Sequence, residues 1–290
     1  MMNIKKLLVL GGDKRQEYMA LDLLNKGFEI SCFGLFKDFE NEDIKILNSS
    51  DFIKALSSFD AIILPLPTSR DNINVFSQNE KISLDFLLQN VTREQVMFAG
   101  MTSEEYKSKF FKKGIRVFDY FEREDLKIKN AYPTAQGVLK IILDNEPICL
   151  NRLKCLVTGC GKTAQTIALM LKNLGSDVTI AARKCGDLAW AQNNKMNGIY
   201  LKDLPKNKLD FDVAINTVPS LILTDEVIAN LNKNCLLIEI ASKPYGIDFE
   251  ASEKHKINCI IAGSLPGKTA PKTAGEIISD TIFYMIREGR

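Results

Sequence analysis

Leu153-Lys154-Cys155-Leu156-Val157-Thr158-Gly159-Cys160-Gly161-Lys162-Thr163-Ala164 reads as the end of a strand, a glycine turn and the start of a helix. The apolar run reaching Gly159 has strand character. The helical pattern after it places Ile167, Ala168, Met170, Leu171 and Leu174 ahead of a stop at Gly175. Gly-x-Gly-x-x-Ala between a strand and a helix is the dinucleotide fingerprint in the context it requires. Gly159 permits the tight turn, Gly161 lets the backbone approach a pyrophosphate, and Ala164 allows close helix–strand packing. Cys160, Lys162 and Thr163 complete a loop whose amides face the anion at the helix N-terminus.

Two phosphate motifs of another kind are imitated but not completed. Gly161-Lys162-Thr163 and Gly267-Lys268-Thr269 look like the tail of a P-loop. The glycine required five residues earlier is replaced by Leu156 in one case and Ala262 in the other. Nucleoside triphosphate hydrolysis by that route is excluded.

The chain has 290 residues, long enough for about two domains. Lys and Arg number 38 against 36 Asp and Glu, a net charge of +2 without long like-charge blocks, so nucleic acid and anionic membranes are not expected partners. No apolar run reaches the roughly 18 residues of a membrane span, and the N-terminal apolar stretch is too short for a signal peptide. Seven cysteines without a C-x-x-C pair imply neither a disulfide framework nor a zinc cluster, and a reducing cytoplasm is expected. The single histidine, His255, lies in a polar Glu253-Lys254-His255-Lys256 run and reads as a solvated helix end. Metal sites built from histidine pairs are therefore excluded and no metal is expected. Proton transfer falls to other groups or to water, so no catalytic residue is assigned.

Apolar strands and helical patterns alternate along the whole chain. Before the fingerprint the strands are 4–10, 28–33, 60–65, 95–99 and 115–120. After it they are 178–182, 212–219 (a strand with its carboxyl-end loop), 235–240 and 257–262. This alternation implies an α/β fold of two Rossmann-like, doubly wound parallel-sheet domains. The expected division is a flavodoxin- or Rossmann-like substrate domain over 1–132 and a nucleotide-binding domain over 133–271. A last helix over 272–290 would pack back on the first domain. Thr102-Ser103-Glu104-Glu105 reads as a capping box, and Pro133 as the start of the connecting helix.

Ligands of open parallel sheets sit beyond the carboxyl ends of the strands. Thr217, Val218, Pro219 and Ala241 are therefore expected to border the cofactor. The strand ending at Ala182 is followed by Arg183 and Lys184 rather than by the Asp or Glu that accepts from an NAD ribose. Two cations there suit a 2′-phosphate, so NADP is expected, with NAD still possible. In the first domain Gly11-Gly12-Asp13-Lys14-Arg15-Gln16 follows a strand directly, placing Asp13 and Arg15 at a carboxyl-end turn. Asn216, Ser242, Lys243, Ser264, Lys268 and Lys272 stand in the corresponding loops of the second half. A small dicarboxylate held in an interdomain cleft would need such cations and amides, Arg15 and Lys268 approaching it from opposite sides.

Six segments carry a resemblance over nearly the whole chain: Gly-Gly-Asp-Lys-Arg-Gln (11–16), Phe-Glu-Arg-Glu-Asp (121–125), Pro-Thr-Ala-Gln-Gly (133–137), Asn-Thr-Val-Pro-Ser (216–220), Ser-Lys-Pro-Tyr-Gly-Ile-Asp-Phe (242–249) and Leu-Pro-Gly-Lys-Thr-Ala-Pro-Lys-Thr-Ala-Gly (265–275). Together they resemble the family of dipicolinate synthase A subunits of endospore-forming bacteria. Two positions depart from it, since Tyr245 and Ser264 stand where that family is expected to have glycine. The resemblance implies oxidation of a dihydrodipicolinate-type precursor to pyridine-2,6-dicarboxylate with a nicotinamide cofactor. It also implies a partner B subunit that looks like a flavoprotein, work in the mother-cell cytoplasm during sporulation, and self-association as a homo-oligomer. Two alternatives stay open. One is a shikimate- or alanine-dehydrogenase type of enzyme, although Asn90-Val91-Thr92 continues without the lysine of the shikimate motif. The other is a nucleotide-binding subunit whose chemistry occurs on its partner.

Overall fold

The computed structural model describes residues 4–35 and 39–289. The chain divides into two compact units, one formed by residues 1–130 with 270–290 and the other by residues 131–269.

In the first unit the order is β1 (Lys6–Leu10), α1 (Lys14–Asn25), β2 (Glu29–Phe33), β3 (Lys45–Ile46), α2 (Ser49–Ala55), β4 (Ala61–Ile63), α3 (Leu84–Asn90), β5 (Val96–Ala99), α4 (Glu104–Lys112) and β6 (Arg116–Asp119). Helix α5 (Glu124–Asn145) then crosses the division. All six strands pair in parallel in the order β3-β2-β1-β4-β5-β6. Period-2 alternation sends β1 residues to opposite faces. Leu7 and Val9 join one buried cluster, Leu8 and Leu10 the other. Both faces are thus covered, as an all-parallel sheet requires.

The second unit repeats the plan with β7 (Lys154–Thr158), α6 (Lys162–Asn173), β8 (Asp177–Ala182), α7 (Cys185–Asn193), β9 (Asn197–Tyr200), β10 (Val213–Asn216), α8 (Asp225–Ala229), β11 (Leu236–Glu239), α9 (Phe249–His255), β12 (Cys259–Ile261) and α10 (Leu265–Thr269). Its order is β12-β11-β10-β7-β8-β9, again all parallel. The winding direction reverses between β7 and β10, which is where a doubly wound sheet opens a crevice at its carboxyl edge.

The last helix, α11 (Pro271–Glu288), belongs to the first unit and lies against α1. Ile277, Ile278, Ile282 and Met285 enter the cluster that holds Leu7, Met19 and Leu23. Gly275 makes the approach possible, since a Cβ there would lie 2.9 Å from the Met19 nitrogen and closer still to the Arg15 carbonyl. Gly275→Leu is expected to force the helices apart and destabilise the chain by about 1–3 kcal/mol. An unchanged urea midpoint would remove that account of the glycine.

Two sequence expectations are corrected. Pro133 does not start a helix; it lies inside α5. The buried positions Ala131, Ala135, Val138 and Ile142 keep helical spacing straight through it, and that apolar face outweighs the one hydrogen bond a proline removes. Thr102 is not the cap of α4 either. The N-cap is Ser103, without a side-chain cap bond, because the Thr102 hydroxyl pairs with that of Thr68 at 2.9 Å. The capping box is found instead on α1, where Asp13 accepts from backbone amides and Gln16 accepts from the Asp13 amide.

Candidate nucleotide site

Between β7 and α6 the turn is shaped by its first glycine. Gly159 has φ +91°, and a Cβ there would lie 2.7 Å from the Thr217 hydroxyl and 2.8 Å from the Val218 side chain. Only glycine fits both the conformation and the space. The loop after β10 is thereby pressed against the fingerprint, and Thr217 Oγ1 donates to the Thr158 carbonyl at 2.7 Å. Gly161 differs. It is the N-cap of α6 with ordinary extended φ, makes no side-chain cap bond, and a Cβ there would meet nothing within 4 Å. The first-turn amides of α6 therefore open onto free space at the positive end of the helix dipole. Ala164 is fully buried against the sheet. The side chain of Cys160 contacts Gln165, and burial pushes its thiol above the usual cysteine range. A neutral thiol in this turn does not repel an anion.

Arg183 and Lys184 follow β8 and are exposed; among the described residues neither has an ion-pair partner. Beside them on β9, Tyr200 lies 3.1 Å from the Cys185 sulfur, and Lys202 approaches its ring at 5.3 Å. The residues directly after β8 are thus cations, the nearest carboxylates being Asp187 in the first turn of α7 and Asp203 beyond Tyr200.

Sequence reasoning missed the group that ties these loops together. Glu239, at the end of β11, is fully buried and accepts from Asn216 Nδ2 at 2.8 and 3.0 Å. It also accepts from the amides of Ala241 (2.8 Å), Gly246 (2.7 Å) and Ile247 (3.1 Å). Asn216 in turn accepts from the Thr158 hydroxyl at 2.6 Å and from the Val218 amide at 3.2 Å. A carboxylate inside the otherwise apolar run Leu236-Leu237-Ile238-Glu239-Ile240 was the available signal.

The residues expected to face substrate are distributed unevenly. Asn216 is buried and committed to this network, while Ser242 and Lys243 are exposed on the loop that Glu239 holds. Ser264 and Lys268 are exposed at the carboxyl end of β12, where Leu265–Thr269 forms the short helix α10 rather than an open loop. Lys272 is exposed in the first turn of α11 and belongs to the first unit. Arg15 is not a free cation. It is 4% exposed, reaches both carboxylate oxygens of Asp13 at 2.8 Å, and donates to the Leu66 carbonyl at 2.5 Å. The Asp13 carboxylate at the glycine turn folds back on its own loop, and the guanidinium is consumed by it there. Arg15→Ala is accordingly expected to lower stability by about 1.5–3 kcal/mol through loss of charged hydrogen bonds. Thermal unfolding of the variant checks this; an unaltered transition would mean that the fork is dispensable.

His255 caps no site. Its Nε2 lies 2.7 Å from Asp225, whose carboxyl Lys254 and then His255 hold below the usual range. Among the described residues no group of three His, Cys, Asp or Glu is arranged to hold a metal, and no helix is long and apolar enough to cross a membrane.

Comparison with known proteins agrees with this architecture. Residues 6–121 match the family model for the N-terminal domain of the dipicolinate synthase A subunit. The dipicolinate synthase A subunit of Bacillus subtilis (strain 168) is 28% identical over 286 residues, covering 98% of this chain and 96% of that protein. The crystal structure of the dipicolinate synthase A subunit from Bacillus halodurans superposes with a TM-score of 0.88 at 26% identity, covering 97% of each chain. A transhydrogenase from Sinorhizobium meliloti shares the fold, with a TM-score of 0.69 at 12% identity over 97% of this chain and 94% of its own. With both glycine turns, both six-stranded sheets and a sequence match along nearly the whole length in place, the chain is similar to the dipicolinate synthase A subunits.

Proposed function

We propose that the chain is an NADP-linked oxidoreductase subunit that converts a dihydrodipicolinate-type precursor to pyridine-2,6-dicarboxylate. The observation that carries the reading is the open amide end of α6 at the switch point, with Gly159 and Thr217 locked behind it. A pyrophosphate fits this cradle by charge and by space. Arg183 and Lys184 would hold a 2′-phosphate, with NAD accepted less well. Thr217, Val218, Pro219 and Ala241 would border the dinucleotide. When bound, the cofactor supplies a hydride acceptor. The chain's own contribution is then binding and orientation: Lys243 and Lys268, with the hydroxyls of Ser242 and Ser264, offer charge and donors to the ring carboxylates.

Aromatisation releases one hydride and one proton. Forming the pyridine ring is strongly favourable, so water suffices to take the proton, in keeping with a histidine that is engaged by Asp225. A B subunit is the expected partner, self-association is expected as well, and the setting is the cytoplasm of the sporulating mother cell. Turnover by the purified chain with NADP and a freshly generated dihydro precursor, with and without the B subunit, tests the reading. NADPH formation by the chain alone supports it. Turnover seen only when the redox chemistry resides on the B subunit would make this chain a nucleotide-binding partner instead.

A further inference from the structure

Glu239 is a costly residue to bury. A carboxylate withdrawn from water loses several kcal/mol of hydration in any protein interior, and only complete hydrogen bonding offsets this. Here the compensation comes from the Asn216 side-chain amide and the backbone amides of Ala241, Gly246 and Ile247, and among the described residues no cation pairs with the carboxylate. A core position alone would be served at lower cost by an apolar side chain. What this one adds is order. Through Asn216 it fixes the turn at Val218, and directly it fixes both ends of the Ala241–Ile247 segment.

The location is as informative as the bonds. In a doubly wound sheet each half takes one half of a dinucleotide across the switch point. The adenosine half falls to the β7, β8 and β9 side, whose loops carry Gly161, Arg183 and Lys184. The loops that Glu239 holds follow β10 and β11, on the nicotinamide side. The held segment is also drawn tightly against its neighbour: a Cβ at Gly246 would lie 2.5 Å from the Val218 carbonyl and 2.7 Å from that of Ser220. Next to it Tyr245 is held at φ +67°, a conformation that a non-glycine residue keeps only when its surroundings enforce it.

We infer that Glu239 is a positioning residue that sets the loops after β10 and β11 for the nicotinamide half of the dinucleotide. The inference rests on the dinucleotide reading above, and the test separates the two. Glu239→Gln keeps the shape but replaces one acceptor by an NH2 that must face N–H donors. The full-length chain and this variant are titrated with NADPH and NADH, following nicotinamide fluorescence. They are also titrated with ADP-ribose and its 2′-phosphate, which lack the nicotinamide. The variant is expected to bind the reduced dinucleotide about tenfold more weakly, or worse, and to lose the fluorescence change. Its affinity for the nicotinamide-free ligand is expected to stay within about twofold of the parent's, because Glu239 makes no hydrogen bond of its own to the loops after β7 and β8. Gly246→Ala, which wedges the same segment without altering the carboxylate, is expected to give the same split and replaces Glu239→Gln if that variant does not fold. Equal losses for both ligands would reduce Glu239 to a general stability element, and unchanged affinities would remove its role; either overturns the inference alone. A parent chain that binds none of the four ligands would overturn the dinucleotide reading and this inference together.

Discussion

Gly161→Val is expected to abolish nucleotide binding in a chain that still folds. Both halves of that statement come from the same geometry. A Cβ at Gly161 meets nothing within 4 Å, and φ −77° with ψ 177° is backbone that valine readily adopts. The cost to the fold is confined to a poorer N-cap on α6, about 1 kcal/mol. The empty space that makes the change harmless to the protein is the space a pyrophosphate needs. Filling it with a branched side chain removes the approach to the first-turn amides, and a loss of at least about a hundredfold, ~2.7 kcal/mol, is expected. Gly159→Val serves as the contrast. Its Cβ would strike Thr217 and Val218 and its φ is positive, so that variant should lose fold and binding together. Calorimetric titration with NADP, paired with circular dichroism, distinguishes them. A folded Gly161→Val chain with parental affinity would mean that the dinucleotide does not bind at this turn.

Much of this was legible in the residues because the signals were local. The order strand, Gly-x-Gly-x-x-Ala, helix needs only adjacent positions to be recognised, and the all-parallel sheets follow from strands and helices taking turns. What sequence reading lost was decided by partners distant along the chain. Thr102 has the spacing of a capping box, yet Thr68, 34 residues earlier, claims its hydroxyl. Pro133 has the look of a helix start, but the apolar face running from Ala131 to Ile142 carries the helix past it. Arg15 reads as a free cation until Asp13 and the Leu66 carbonyl are seen to surround it. Glu239 escapes the local signals because its donors lie 2, 7, 8 and 23 residues away, on the Ala241–Ile247 segment and at the end of β10.

The two departures from the family pattern gain a physical meaning in the same way. Tyr245 and Ser264, where glycine was expected, have φ +67° and +59°. Glycine is the residue suited to both backbones, so the pattern marks left-handed turns rather than close contacts. This chain keeps the turns and bears the strain, in the first case with the Tyr245 ring packed edge-on against Phe249 at 5.5 Å.

Cofactor choice rests on the end of β8, where the next large effect is expected. An NAD-selective unit places a carboxylate there to accept from the ribose hydroxyls, and that carboxylate repels a 2′-phosphate. Ala182 occupies the position here, and the residues after it are Arg183 and Lys184, both exposed and without an ion-pair partner among the described residues. NADP is therefore expected to bind at least about tenfold more tightly than NAD, one charge-assisted contact of some ~1.5 kcal/mol being enough. Exposure sets the upper limit, since solvent and salt screen the attraction, and the preference should shrink as ionic strength rises. Arg183→Ala should remove most of it while leaving NAD affinity nearly unchanged, because the lost contact is to a group NAD lacks. Lys184→Ala should remove less, as an ammonium on a flexible stem cannot match a planar, bidentate guanidinium on a phosphate. Titration of the parent and both variants with the two cofactors, at low and at physiological salt, decides the matter. Equal affinities in the parent would show that the missing carboxylate does not mark NADP selectivity, and an Arg183→Ala chain that keeps the full preference would move the 2′-phosphate contact to Lys184 or Lys202.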